Sequence, residues 1–239
     1  MSVALASQLR EGTKKSHTMA ENTGFVSCFL KGVVDKASYR TLVADLYFVY
    51  TAMEEEIGRL RAEGHPVVGP VGFPELNRRE TLEQDLSYYF GADWRSSVRA
   101  TPAAQEYVAR LHKVAREEPE LLVGHHYTRY IGDLSGGQIL KNIAQKAMGL
   151  GDHDGLRFYE FDAISDEKGF KVNYRATLDN LPIDQAMADR IVAEANHAFH
   201  LNMKMFQELE GNLVAAIGKV LFGFLTRRQR AGSTEAVAA

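Results

Sequence analysis

The sequence predicts an all-α fold built as a single domain. Apolar residues recur at intervals of three and four along most of the 239 residues, and no stretch alternates apolar and polar residues as a β-strand would. No internal repeat, low-complexity segment or flexible linker divides the chain. With 45% hydrophobic residues, a chain of this length can bury one sizeable core.

The first part of the chain contains three predicted helices and a loop. Residues 2–22 form the first helical pattern, with a leucine-rich apolar stripe. A second helix is predicted after Gly24, and a longer helix rich in aromatic side chains covers residues 38–62. Residues 64–74 combine proline and glycine without any alternation, which predicts a loop.

The second part of the chain is predicted to be helical, apart from a connector at residues 152–162. Its helices are expected over residues 74–90, 102–117, 120–148, 165–180 and 182–225. Pro119 is expected to begin the long helix predicted over residues 120–148, because proline is well tolerated in a first helical turn. Gly149 follows the same helix as the expected stop.

Composition excludes several classes of protein. A net charge of −3 and a sequence pI near 6.3 give no reason to expect nucleic acid as a partner. The single cysteine, Cys28, cannot form an internal disulfide, which fits a reducing compartment. The longest apolar stretch, residues 213–225, contains Lys219 and is too short to span a membrane. We therefore expect a soluble, cytoplasmic protein whose residues 227–239 form a disordered tail.

Residues 127–138, YTRYIGDLSGGQ, are unusual because three glycines interrupt a predicted helix. Each glycine costs roughly 1 kcal/mol relative to alanine in a helix interior. Gly132 and Gly136 lie four residues apart and therefore open the same helix face, either for close helix packing or for a bulky ligand. Asp133 favours the ligand, because a carboxylate on a buried helix needs a polar partner.

Other motifs do not lead to a function. Residues 134–138, LSGGQ, match the signature of ABC-type ATPases, but the chain has no phosphate-binding loop. Glu194 and His197 have the spacing of a di-iron carboxylate site, but no second Glu-x-x-His exists. No G-x-S-x-G elbow is present, and Cys28 has no activating base nearby in the sequence, so hydrolase chemistry has no support.

His17 is a candidate iron ligand on the first predicted helix. Glu21 lies one turn ahead, where a carboxylate could orient the second ring nitrogen of the imidazole. Lys14 lies one turn behind and Arg10 two turns behind, and both cations would suit the carboxylates at the edge of a porphyrin. This spacing is consistent with an axial haem ligand but does not establish one.

Residues 13–22 and 127–138 together resemble haem oxygenase. The resemblance extends through residues 47–56, 73–76, 82–86, 118–122 and 170–175 and into the last helix. It covers nearly the whole chain and implies a haem oxygenase domain over residues 1–226. In this fold, haem lies between a proximal N-terminal helix and a kinked, glycine-rich distal helix.

The resemblance also implies a reaction and its cofactors. Haem b would be both substrate and cofactor, opened at the α-meso carbon to biliverdin IXα, CO and Fe2+. The reaction would use O2 and electrons from an external donor. Similarity to the soluble enzymes of cyanobacteria and algal plastids implies ferredoxin or another reductase as donor, and phycobilin biosynthesis through downstream bilin reductases. It places the reaction in the cytoplasm, or in the plastid stroma of an alga.

Individual residues are assigned to the two faces of the haem by the same resemblance. His17 matches the axial iron ligand. The distal residues with implied catalytic roles are Tyr50, Arg129, Gly132, Asp133 and Gly136. The implied haem contacts, beside Lys14 and Glu21, are Arg10, Tyr127, Gly137, Lys171 and Arg175. Arg10 stands where mammalian forms carry lysine, so the geometry of its carboxylate contact is expected to differ.

Two alternatives stay open at this point. Phe199, Asn202 and Phe206 on the last helix could contact the haem edge or could belong to an ordinary core. The protein could also be a carrier or sensor that binds haem without cleaving it, because glycines and basic residues serve either purpose. Spectroscopy of the haem complex with a reductant in air separates the enzyme from the carrier.

Overall fold

A computed structural model describes the backbone of residues 3–231 and the side chains of residues 3–210. This part of the chain is helical and contains no β-strand, which confirms the predicted all-α class. None of its helices is long and apolar enough to cross a bilayer. The tail predicted at residues 227–239 lies outside the described residues from position 232 onward and stays a prediction.

The helices are α1 Leu5–Gly12, α2 Lys14–Glu21, α3 Gly24–Leu30, α4 Lys36–Ala62, α5 Arg79–Phe90, α6 Trp94–Ser97, α7 Pro102–Glu117, α8 Leu122–His126, α9 Gly132–Met148, α10 Glu167–Asp179 and α11 Gln185–Ala231. Short 3-10 turns lie at Gly69–Val71, Pro74–Leu76, Pro119–Leu121 and Arg157–Tyr159. Helix α11 packs against α1, α2, α3, α7 and α8, and α4 packs against α5 and α7. These contacts enclose one continuous apolar core.

The first predicted helix is two helices, α1 and α2, separated at Thr13. The Thr13 hydroxyl donates a 2.7 Å hydrogen bond to the carbonyl of Leu9. Such a bond competes with the backbone ladder and bends a helix. The Asn196 side chain of α11 also donates to the Gly12 carbonyl at 3.1 Å, which satisfies the end of α1. Because the apolar periodicity continues across Thr13, the sequence pattern gave no sign of this break.

Two other helices begin later than predicted. Helix α5 begins at Arg79 rather than Pro74, because the Glu54 carboxylate of α4 accepts the backbone N–H of Arg78 and, at 3.2 Å, that of Arg79. Helix α11 begins at Gln185, three residues after the predicted start at Pro182. The four-residue helix α6 was not predicted at all, since one turn is too short to show periodicity.

The long helix predicted over residues 120–148 is interrupted. Helix α8 leads into a π-helical turn, Tyr127–Ile131, before α9 begins at Gly132. A β-carbon at Gly124 would lie 2.7 Å from the carbonyl oxygen of Ile191, so only glycine lets α8 lie directly against α11. The π turn contains the one extra residue that re-aims the helix after this contact. Gly149 ends α9 with a φ of 62°, as predicted.

A buried ionic cluster joins α7, α8 and α11. The Glu194 carboxylate accepts hydrogen bonds from Arg110 at 2.5 and 2.8 Å and from the His125 ring at 2.8 Å. Burial opposes ionisation of Glu194, but the bonds from Arg110 and His125 outweigh it and lower its pKa to about 2. Glu194 is thus a structural residue. No group of three or more His, Cys, Asp or Glu side chains that could hold a metal ion occurs among the described residues.

Replacing Glu194 with glutamine is expected to reduce the free energy of unfolding at pH 7 by about 3 kcal/mol, because each pKa unit between folded and unfolded states contributes roughly 1.4 kcal/mol. A carboxylate with a depressed pKa stabilises the fold above its unfolded pKa, and this contribution is lost as the pH falls through the folded value. The difference between wild type and variant should therefore shrink between pH 5 and pH 2. Urea titrations across this range measure it.

Glu106→Gln is the matched control. Glu106 also pairs across α7 and α11, with Lys204 at 2.7 Å, but both side chains are largely exposed. Solvent screens such a pair, so its loss should change stability little at any pH. A Glu194→Gln deficit that grows in acid would contradict the assigned role of this carboxylate.

Candidate functional site

One cavity of about 450 Å³ lies between the N-terminal helices and the segment made of the π turn and α9. Helices α1 and α2 form one wall, and the π turn with α9 forms the other. Described residues of α3, α4, α11 and the turn Arg157–Tyr159 close its apolar end. The predicted site residues on its surface are Arg10, Lys14, His17, Glu21, Tyr127, Arg129, Gly132, Asp133, Phe199, Asn202 and Phe206.

His17 is the only histidine among the residues that line the cavity. Its Nδ1 lies 3.7 Å from a carboxylate oxygen of Glu21, in the predicted direction but beyond hydrogen-bond distance. The edge of its ring faces Phe199 of α11, with ring centroids 5.9 Å apart. The Ser16 hydroxyl donates to Asn196 of α11, so the helix that carries His17 is fixed to α11 beside the cavity.

The glycines of α9 have different surroundings. A β-carbon at Gly132 or Gly136 would meet no atom within 4 Å, so neither residue mediates close helix packing. Gly132 lines the cavity, whereas Gly136 is not among the lining residues. Gly137 is buried, and a β-carbon there would lie 3.4 Å from the ring of Tyr159, an ordinary contact distance. Gly132 therefore presents bare backbone to the cavity, whereas Gly137 lies beside Tyr159.

Asp133 lies in a polar network on the cavity wall. The Tyr50 hydroxyl donates to one carboxylate oxygen, and an Arg129 nitrogen lies 3.4 Å from the other. Arg129 also contacts the Tyr50 hydroxyl at 3.1 Å and donates to the Asn202 side chain at 2.8 Å. The fold thus brings together four predicted residues from α4, the π turn, α9 and α11. Tyr50 belongs to the network without lining the cavity.

Burial controls the charges of this network. It raises the pKa of the Asp133 carboxyl well above its ordinary value and lowers the pKa of Arg129. A carboxyl with a raised pKa keeps its proton to higher pH and can then donate a hydrogen bond as well as accept one. Asp133 is therefore placed to deliver or receive a proton at the cavity surface.

Basic side chains lie along the cavity's open rim. The side chains of Arg10 and Lys14 are 81% and 78% exposed, so they can reach a ligand's carboxylates without first losing a buried partner. Burial raises the pKa of Tyr127, while the charges of Arg175 and Arg10 lower it, which places both cations near the phenol. Lys171 does not line the cavity and pairs with Glu167 at 3.1 Å.

The last helix supplies the other predicted contacts. Phe199 and Phe206 line the cavity, and the Phe206 ring also stacks on Phe25 with centroids 6.0 Å apart. Asn202 is 4% exposed and binds Arg129 through its side chain. These residues are thus both part of the packed interior and part of the cavity wall.

Sequence reasoning missed Phe158 and Tyr159. Both line the cavity from a turn inside the region predicted only as a connector. The Asp85 carboxylate of α5 accepts the backbone N–H groups of Arg157 and Phe158, each at 2.8 Å, and so fixes this turn. The aromatic pair within a connector that is otherwise rich in charged residues was the available signal.

Comparisons with known proteins agree with this architecture. A family model described as "Heme oxygenase" matches residues 3–208. The chain is 62% identical to "Heme oxygenase 1" of Nostoc sp. over 98% of both chains, and 54% identical to "Heme oxygenase" of Porphyra purpurea over 91% and 92% of the two chains. The crystal structure of heme oxygenase-1 from Synechocystis sp. in complex with heme superposes with a TM-score of 0.90 at 63% identity, covering 93% of this chain and all of that one.

Proposed function

Because this chain belongs to the haem oxygenase family, an oxidoreductase family, we propose that it binds haem b between α2 and α9 and cleaves it oxidatively. The products proposed are biliverdin IXα, CO and Fe2+, formed by opening the α-meso carbon with O2 and electrons from an external donor. The observation that carries the proposal is one cavity bounded by the His17 imidazole, the bare backbone of Gly132 and the Asp133 carboxyl.

The residues present fit haem as the occupant. A volume of about 450 Å³ falls in the range of small-molecule and cofactor sites, roughly 300–1,000 Å³. The inner wall is aromatic and aliphatic, as the apolar part of a porphyrin requires. The imidazole of His17 suits iron, and Arg10 and Lys14 suit carboxylates at the open rim.

Haem bound in the cavity would supply redox-active iron and the ring that is oxidised. The protein therefore has to orient this substrate and handle protons. His17 would hold the iron from α2, and Gly132 would leave space on the wall formed by α9, since even a β-carbon at Gly132 would meet no atom within 4 Å. The surrounding walls limit the direction in which the ring can be attacked, which is how one of four similar carbons can be selected.

Asp133 would act as the proton donor beside the reacting face. Tyr50 and Arg129 hold its carboxyl in one orientation, and burial keeps the carboxyl protonated to a higher pH than usual. A positioned acid of this kind contributes roughly 10²–10⁴-fold to rate. The phenylalanines at the closed end exclude water and so strengthen these polar interactions.

The finer biological assignments remain part of the proposal. Ferredoxin as electron donor and a bilin reductase as the next enzyme are proposed from the resemblance to cyanobacterial and algal forms, the groups to which the relatives in Nostoc, Synechocystis and Porphyra belong. The reaction is proposed for the cytoplasm, or for the stroma in an alga. The catalytic role of Gly136 and the haem contacts of Gly137 and Lys171 rest on the family resemblance alone, because these residues do not line the cavity. Arg175 does not line it either, but its charge acts on Tyr127, which does.

The proposal is tested by adding a reductant to the haem complex in air and following its visible spectrum. Loss of the Soret band and growth of a broad red absorption, with the α isomer recovered by chromatography, is the expected result. A stable oxygenated complex would instead identify a haem carrier. A β or δ isomer would retain the enzyme and reject the α assignment.

Gly132→Ala is expected to separate two effects of this glycine, which lowers the stability of the apoprotein and favours haem binding. The apoprotein should become more stable by about 0.5–1 kcal/mol, because alanine is the better helix former and its methyl meets nothing within 4 Å. Haem should bind at least about tenfold more weakly, a loss of roughly 1.4 kcal/mol, because the methyl occupies the ligand face. Thermal denaturation and haem titration measure the two effects.

Gly58→Ala provides the control. Gly58 lies inside α4, also has open space around a β-carbon, and is not among the lining residues of the large cavity. The Gly58→Ala substitution should stabilise the apoprotein to a similar extent and leave haem binding unchanged. Equal haem affinities for Gly132→Ala and wild type would remove Gly132 from the ligand face.

A further inference from the structure

Helix α9 forms one wall of the cavity, but it is weakly packed around its glycines. Among residues 132–140, only Leu134 and Gly137 are buried. A β-carbon at Gly132 or Gly136 would meet no atom within 4 Å, so these two positions do not anchor the helix. Helices in proteins are stabilised mainly by packing an apolar face against their neighbours. The position of this half of α9 must therefore depend on contacts that other residues make.

The connector that follows α9 supplies such contacts. Helix α9 packs against α3 and against the turn Arg157–Tyr159, which also lines the cavity. The Gln138 side chain donates a hydrogen bond to the Tyr159 carbonyl at 3.2 Å. Three residues further along α9, Lys141 donates to the Glu160 carboxylate at 2.8 Å. Because residues three apart lie on the same side of a helix, both contacts hold one side of α9 against the connector.

The pair of Lys141 and Glu160 is the stronger of these two contacts. The side chains are 16% and 7% exposed, so solvent screens this pair much less than it screens a surface ion pair. Burial opposes ionisation of Glu160, but the hydrogen bonds from Lys141 and His153 outweigh it and lower its pKa. Glu160 is therefore charged at neutral pH. Hydrogen bonds between charged groups are roughly twice as strong as those between neutral groups.

Glu160 is held in place independently of α9. Its carboxylate bonds Arg157 at 3.0 Å and His153 at 2.8 Å, and both partners belong to the connector. Its backbone carbonyl accepts a hydrogen bond from the buried Arg78 guanidinium, whose central carbon lies 3.9 Å from the centre of the Phe161 ring. The carboxylate is thus a fixed point of the connector, and Lys141 attaches α9 to it.

Resting on the proposed function, we propose that Lys141 and Glu160 are positioning residues whose ion pair fixes the glycine-bearing part of α9 beside the haem. Lys141 lies one turn after Gly137, and glycines make a helix easier to bend. An attachment at Lys141 therefore limits the bending of the segment before it. Without the pair, the backbone of Gly132 and the carboxyl of Asp133 would no longer stay at one distance from the ligand.

Lys141→Met tests this attachment, because methionine has an unbranched stem and a helix propensity close to that of lysine but no charge. Amide hydrogen exchange of residues 132–140 in the haem-free protein is the first measurement. We expect exchange to become about tenfold faster, since a hydrogen bond to a charged group contributes enough stability for a change of this size. Lys141→Arg keeps the charge and the donors, so it should retain most of the protection.

The haem complex provides the second measurement. The infrared stretching band of carbon monoxide added to the reduced complex depends on the polar groups beside it, here those around Asp133. The wild-type complex should show one narrow band. Lys141→Met should broaden or split this band, because α9 then takes more than one position. A general loss of stability would lower the melting temperature and leave the band as it is.

Arg157→Met is the matched control. It removes another cation from the same carboxylate, but Arg157 and Glu160 both belong to the connector, so Lys141 still attaches α9. This variant should lower the melting temperature without changing the exchange of residues 132–140 or the carbon monoxide band. Unchanged exchange or an unchanged band in Lys141→Met, or equal effects in Arg157→Met, would overturn the inference. A wild-type protein that forms no haem complex would instead overturn the proposed function.

Discussion

Replacing His17 with alanine is expected to weaken haem binding at least about 100-fold, because loss of a ligand should exceed the 10–100-fold cost of losing a residue that only orients one. No other histidine lines the cavity, so no neighbouring imidazole can take over. Free imidazole should partly restore the Soret spectrum by entering the space beside Phe199. Haem titration with absorption spectroscopy, with and without imidazole, measures both effects.

His200→Ala is the matched control for this experiment. His200 lies exposed on α11 and is not among the residues that line the cavity. Its variant should bind haem as wild type does. An unchanged Soret band and affinity in His17→Ala would show that another group holds the iron, and the proposed orientation of the ligand between α2 and α9 would be wrong.

Replacing Asp133 with alanine is expected to leave haem bound and to lower the rate of biliverdin formation about 100-fold or more, in the range of a lost general acid. The apoprotein should not become less stable through loss of ionisation, because burial raises the pKa of Asp133 and so penalises its charged form. Single-turnover assays with a chemical reductant, followed by product chromatography, separate binding from cleavage.

Asp133→Asn removes the acidic proton while keeping the volume of the side chain, so it tests the proton alone. Wild-type cleavage should slow as the pH rises through the raised pKa of Asp133, since the protonated carboxyl is the reactive form. The asparagine variant should be slow at every pH and lack this dependence. Normal biliverdin yield in both variants would exclude Asp133 from proton delivery and leave Gly132 and the surrounding walls to account for the reaction.

The sequence predicted the helical class correctly, and many of its candidate site residues line one cavity in the structure. Gly132 and Asp133 were recognisable because each breaks a local rule: a glycine or a charged residue occupies a helix position where alanine or an apolar residue is favoured. His17 was recognisable from Arg10, Lys14 and Glu21 at helical spacing around it. Arg129 and Asn202 were identified by resemblance, and the structure adds the 2.8 Å bond between them. Local sequence rules thus identify candidate residues, but they do not show which contacts those residues make.

The details that escaped prediction depend on contacts between distant segments. The break at Thr13 and the π turn leave the apolar periodicity intact, so no local pattern marks them. The surroundings of Gly137 include Tyr159, which lies 22 positions away in the sequence on a turn held by Asp85. These features follow from packing and buried hydrogen bonds, and neither can be inferred from one segment alone.

Helix α11 acts as a common reference for the two faces of the cavity. Near Asn196 it is bonded to α2, and one to two turns later Asn202 is bonded to Arg129 beside the distal segment. The gap that admits a flat ring is therefore set by a few consecutive turns of one rigid element rather than by loops. Insertions elsewhere should leave the gap unchanged, whereas a proline between these two asparagines would alter its width and both of its walls together.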